Sequence, residues 1–148
     1  PLEPTSQAYA TAKLAGLEFV RAARRQHGAN FLALIPADVF GPGDSFEPGE
    51  AHVMPALIRR FHEAKIAGQP TVEVWGSGRP RRELMFADDA ADACLFLAER
   101  EAWREYGLMN VGCGSDTAIA DAAEGAGEGH GSPTLPILTP PVGTAAPR

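Results

Sequence analysis

One stretch constrains the fold of this chain more than any other. Asn30-Phe31-Leu32-Ala33-Leu34-Ile35 is nearly all apolar at consecutive positions and is closed by Pro36. A strand with one wet face alternates apolar and polar residues, so an unbroken run reads as a parallel strand covered on both faces. The segment before it has helical period. Thr5-Ser6 can cap a helix that carries Leu14, Leu17, Phe19, Val20 and Ala23 on a broad apolar face, runs to about His27 and stops at Gly28. The alternation then continues. A helix is predicted from about His52 to Ala67, a strand over Thr71–Trp75 and an extended stretch over Arg82–Phe86. A helix opened by Asp88-Asp89, a short strand at Leu108–Val111 and a last helix over Asp116–Glu124 follow. Strands alternating with helices indicate an α/β architecture.

The bounds on function are broad. A chain of 148 residues is the size of one domain. Its net charge of −6 speaks against nucleic-acid binding, which wants a basic face. No apolar run approaches a membrane span, and PLEPTSQAYA has neither the basic nor the apolar region of a signal peptide. A cytoplasmic location is expected. Cys94 and Cys113 form neither a disulfide framework nor a metal cluster; Cys94 reads as core and Cys113, between two glycines, as a turn residue. The composition shifts near Glu124: ten of the 29 Gly and Pro residues fall in the last 24 positions. Residues 1–124 therefore read as the folded part and 125–148 as an irregular or disordered tail.

The first chemical motif is Tyr9-Ala10-Thr11-Ala12-Lys13. Residues four apart share one helix face, and an ammonium beside a phenol favours the phenolate. Such a tyrosine can exchange a proton with a carbonyl or alcohol. A plain solvated Tyr/Lys pair has the same spacing, so the pair alone decides nothing.

Its surroundings decide more. Tyr9-x-x-x-Lys13, then a helix, a strand and Pro36-x-x-x-Phe40-Gly41-Pro42-Gly43, resembles the extended short-chain dehydrogenase/reductases that modify nucleotide sugars. The run from His52 to Lys65 and the segment Val74-Trp75-Gly76-Ser77-Gly78-x-Pro80-Arg81-Arg82-Glu83 are similar to GDP-L-fucose synthases. The resemblance covers about residues 2–121. It implies a partial Rossmann-type fold (the C-terminal half) with a small substrate-binding portion. It also implies an NADP-dependent enzyme that epimerises C3 and C5 of GDP-4-keto-6-deoxy-mannose and reduces C4.

In that frame Tyr9 is the proton donor to the C4 oxygen, and Lys13 holds the nicotinamide ribose. Pro36, Ala37, Asp38 and Val39 lie along the nicotinamide end of the cofactor, with His52 near it. The family usually carries Pro-Thr-Asn at the start of that loop, so Ala37 and Asp38 depart from it. His52 matches the epimerisation histidine; an imidazole can remove or return a proton beside a ketone. The alternative for His52 is a helix-start residue capping its own turn. Arg60, Trp75 and Arg82 match positions that hold the GDP-sugar. Arginine forks suit diphosphate oxygens, and an indole offers a flat wall to a base. The alternative for Arg59-Arg60 and Arg81-Arg82 is a solvated basic face. A homodimer with the Tyr/Lys helix near the contact is implied as well.

One part of such an enzyme has no match. A dinucleotide fold opens with a strand, a Gly-rich turn and a helix whose N-terminus takes the pyrophosphate. Nothing before Tyr9 has that pattern, and Glu128 within Gly125–Gly129 would repel phosphate. The expectation is a C-terminal portion that is inactive by itself. Two other readings remain: a related nucleotide-sugar 4-epimerase or 4,6-dehydratase, and a non-catalytic module that retains the GDP-sugar pocket.

Overall fold

The computed structural model describes residues 4–129 and 135–139. The chain divides into two compact units that interleave along the sequence. One is Pro1–Pro36 with Asp89–Val111, the other Ala37–Asp88 with Gly112–Arg148.

The first unit begins with a short 3-10 turn, Pro4–Ser6, leading into helix α1, Gln7–His27. Ser6 occupies the N-cap but makes no side-chain capping bond. The other end follows the sequence closely. Gly28 takes the left-handed conformation (φ 61°), which costs glycine nothing, and its N–H returns to the Ala23 and Arg24 carbonyls. The Arg24 guanidinium then holds the Phe31 carbonyl, which fixes the turn into strand β1, Ala33–Pro36. Strand β1 pairs in parallel with a later strand of this unit, Leu108–Val111, in the register Ala33↔Leu108 to Pro36↔Val111. The parallel pairing is as expected; the cover is not, because Ile35 is exposed. Helix α3, Ala87–Glu99, belongs here from Asp89 onward. Cys94, expected in the core, is exposed on it. No described residue of this unit is buried.

The second unit is built around helix α2, Val53–Ile66, and strand β3, Thr71–Trp75. Pro55 falls in the first turn of α2, where its missing N–H would have no helical partner. Leu57, Phe61 and Ala64 recur at helical spacing and are buried. In β3 the alternation is strict: Val72 and Val74 point inward, Thr71, Glu73 and Trp75 outward. Helix α4, Ile119–Gly129, closes this core with Ala122, Ala123 and Ala126, side chains small enough for close approach. Its first N–H groups find the Pro80 and Gly78 carbonyls at 3.0 Å, so the turn after β3 caps the helix with backbone alone.

Four further short strands, β2 (Asp38–Phe40), β4 (Arg81–Arg82), β5 (Leu84–Phe86) and β7 (Thr117–Ala118), belong to this unit. Strand β2 stands where the sequence predicts a loop; it pairs in parallel with β5, and Phe40 meets Phe86 edge to face at 5.8 Å. Strand β4 runs antiparallel to β7. The predicted extended stretch over 82–86 is thus two strands with different partners. The strand Leu108–Val111 of the first unit is β6 in chain order.

The predicted irregular tail needs correction where it is described. Helix α4 runs on through Gly125–Gly129, and strand β8, Leu135–Thr139, pairs in parallel with β3. Glycine lowers helix propensity by about 1 kcal/mol, but burial of Ala126 and Gly127 against the core outweighs it here. Pro136 costs β8 a donor, which a strand paired on one side tolerates. The remaining tail positions, 130–134 and 140–148, lie outside the described residues.

Candidate functional site

In the first unit, α1 brings Tyr9 and Lys13 to one face, as their spacing requires. The Lys13 ammonium stands 5.3 Å from the Tyr9 ring centroid, and the tyrosine is 66% exposed. Both polar groups are therefore open to a ligand. Pro36 is the last residue of β1.

The other predicted residues belong to the second unit. Ala37 precedes β2, and Asp38 and Val39 form its first two positions. His52 is the N-cap of α2, with extended backbone (φ −66°, ψ 172°), and its carbonyl accepts the Ala56 N–H at 3.0 Å. Its imidazole makes no capping bond and is exposed. A self-capping role is thereby excluded. Arg60 lies about two helical turns further along.

The two arginine pairs resolve differently from a plain basic surface. Arg59 is scaffold: it donates to Glu63 at 2.6 Å and to the Phe46 carbonyl at 2.7 Å, tying the Gly/Pro loop to α2. Arg60 instead lies over Trp75, 4.1 Å from ring centroid to guanidinium carbon, and donates to the Glu73 carbonyl at 3.0 Å. This follows from the alternation in β3, which sends Trp75 out of the core, 71% exposed. Among the described residues Arg60 makes no ion pair within 4.0 Å; the ring and the carbonyl it touches are uncharged. Arg81 is scaffold again, donating to the Asp116 side chain and carbonyl, each at 2.8 Å. That hydrogen bond, with the Asp116 charge, raises its pKa above the ordinary arginine value. Arg82 faces Asp38 across 3.4 Å and donates to the Arg81 carbonyl at 3.0 Å.

Two features of this unit escaped the sequence. A cleft of about 260 Å³ is bordered by Phe40, Pro42, Asp44, Phe46, Ile58 and Phe86. Its lining is apolar apart from Asp44. The signal was present in the two aromatics flanking the Gly/Pro loop. The other feature is Glu83, whose carboxylate fills the Gly-rich turn after β6. It accepts the Gly114 N–H at 2.6 Å, and a side chain at Gly112 would collide with it. Cys113 sits in that turn, as read, and donates its thiol to the Leu84 carbonyl at 3.3 Å. No group of His, Cys, Asp and Glu among the described residues could hold a metal ion. No helix among them is long and apolar enough to cross a membrane.

A family model described as "NAD dependent epimerase/dehydratase family" matches residues 1–112. The chain is 47% identical over 123 residues to GDP-L-fucose synthase 1 of Arabidopsis thaliana, covering 83% of this chain and 38% of that protein. It is 42% identical over 130 residues to GDP-L-fucose synthase of Escherichia coli (strain K12), covering 83% of this chain and 40% of that one. Among solved structures, a GDP-mannoheptose C4 reductase from Campylobacter jejuni with NADP bound superposes with a TM-score of 0.80 at 25% identity. That match covers 95% of this chain and 52% of the other. The chain thus spans about two fifths of the length of the curated relatives it matches.

Proposed function

Because the chain belongs to the NAD dependent epimerase/dehydratase family, we propose that it supplies the GDP-sugar-binding surface of a GDP-L-fucose synthase-like epimerase/reductase, with part of its proton-transfer apparatus. The observation that carries this reading is the Arg60–Trp75 stack. An exposed indole with a guanidinium over it is a platform for a flat, anionic ligand. A guanine base can stack, and Arg60 and Arg82 can each hold a diphosphate oxygen pair.

The substrate proposed is GDP-4-keto-6-deoxy-mannose. Protons at C3 and C5 are acidified by the C4 ketone, and the exposed imidazole of His52 removes or returns one. Tyr9 gives a proton to the C4 oxygen, and Lys13 beside it stabilises the phenolate left behind.

The residues present fit one end of NADP. The exposed Lys13 ammonium next to Tyr9 can donate to ribose hydroxyls. Bound there, the reduced nicotinamide would supply hydride to C4. The pyrophosphate end does not fit the Gly112–Gly114 turn, because Glu83 already occupies it with a negative charge. The 148 residues alone are therefore proposed to bind GDP without consuming NADPH. The reading of the chain as a binding module gains from one observation: Arg60, Trp75 and Arg82 all belong to the unit that has a buried core.

The test is a titration of the chain with GDP, followed by tryptophan fluorescence. Saturable quenching is expected, weakened at least about tenfold by Arg60→Ala, the loss of a charged hydrogen-bonding partner. Absence of any saturable change sinks the reading. Consumption of NADPH by the isolated chain with the keto-sugar nucleotide would refute the proposed inactivity.

A further inference from the structure

Two arginines of the second unit are available to a diphosphate, but they are not alike. Arg60 rests on an aromatic ring and a carbonyl, both neutral. Arg82 faces a carboxylate: its Nε is 3.4 Å from Asp38 Oδ2, an ion pair rather than a hydrogen bond. Arg82 and Asp38 are each more than half exposed, so neither is locked by packing.

The backbone nevertheless fixes the pair. The Asp38 N–H donates to the Glu83 carbonyl at 2.9 Å, and the β2–β5 ladder sets Asp38 against Leu84. Arg82 is the last residue of β4, two positions before Leu84. Arg81, beside it on β4, is pinned to Asp116, and Glu83, between β4 and β5, accepts the Gly114 N–H. Both neighbours of Arg82 are thus held on the Gly112–Asp116 side, and the arginine between them is left to meet Asp38.

We propose that Asp38 is an intramolecular counter-anion for Arg82, one that a nucleoside diphosphate must displace and that lowers the affinity of this surface for it. The inference rests on the GDP-sugar reading above. It also moves Asp38 from the cofactor side, where the family resemblance had put it, to the substrate side. The physical case is charge bookkeeping. An incoming phosphate meets at Arg82 a guanidinium already paired with a carboxylate, and at Arg60 one set against a ring and a carbonyl. The cost is small, because exposed pairs are weak, and it is screened by salt. An amide at position 38 keeps the shape and the backbone bond and removes the competing charge.

The experiment measures GDP, inorganic pyrophosphate and guanosine binding to the full chain and to Asp38→Asn, Arg82→Ala and the double variant, with circular dichroism as the check on folding. Asp38→Asn is expected to bind GDP and pyrophosphate about two- to fivefold more tightly at low salt, the range typical of exposed pairs. The gain should shrink at 0.5 M salt, and guanosine binding should not change. In the Arg82→Ala background the substitution should do nothing. Unchanged or weaker GDP binding by folded Asp38→Asn overturns the proposal, as does an equal gain without Arg82. These results leave the GDP-sugar reading standing if Arg82→Ala still weakens GDP. Failure of every variant to bind GDP removes that reading and this inference with it.

Discussion

In the second unit Phe61 and Pro55 have lost almost all contact with water, and Leu57, Ala64, Val72, Val74 and three alanines of α4 join them. In the first unit no described residue is buried: Leu17, Val20 and Ala23 are half-covered, while Leu14, Phe19, Leu95 and Phe96 remain exposed. Both units have regular helices and parallel strand pairs. Periodicity and a glycine stop are enough to shape a helix such as α1, but its apolar face stabilises only when it is removed from water, by roughly 1.5–3 kcal/mol per large side chain. The comparison also divides the chemistry. Arg60, Trp75, Arg82 and His52 are carried by the unit with its own core, and Tyr9 and Lys13 by the one without.

Hydrogen exchange probes that contrast most strongly. Amides of α2 and α4 in the second unit should exchange on the order of 100-fold more slowly than those of α1, since protection follows burial. Equal protection would mean that α1 is as well packed in solution. Next in size is Phe61→Ala. The ring is 0% exposed, and its loss should cost about 3–5 kcal/mol in chemical denaturation; a change under 1 kcal/mol would show that the core described is not what holds the unit. Ala123→Leu, at another fully covered position, should cost about 1–3 kcal/mol by overpacking α4 against α2 and β3.

Two smaller effects sharpen the picture. Gly112→Ala must push the Glu83 carboxylate off the Gly114 N–H, for a loss near 1 kcal/mol. A double-mutant cycle with Glu83→Ala checks the mechanism: the glycine substitution should add little once the carboxylate is gone. Phe19→Ser, on a side chain 67% exposed, should stay within about 0.5 kcal/mol. A larger, concentration-dependent loss would mean that α1 is covered by a second copy, the homodimer that the family resemblance implies.

Much of the fold was legible because it is local. The end of α1 at Gly28, the start of α2 at His52 and the bounds of β3 and β6 all follow from period and punctuation. What failed was non-local. Asp38–Phe40 is too short to show a period and exists as a strand through its pairing with Leu84–Phe86. The glycines after Glu124 argue against a helix until the core they meet is known. The same division runs through the site. Residue types pointed to Arg60, Trp75, Arg82 and His52, but twin arginines look identical in a sequence. Which of each pair serves as scaffold depends on where Glu63, Phe46 and Asp116 come to lie.

The sequence by itself determined the α/β class, the order of the main elements and the chemistry-bearing residue types. Each of these depends on neighbours a few positions away, where the geometry of helix and strand is fixed in advance. Only the tertiary structure decided which apolar residues are buried, that α4 outlasts its glycines, and that Arg82 pairs with Asp38 while Arg60 lies over Trp75. Burial and Coulomb energy depend on distance in space, and that is set by pairings between segments remote in the chain.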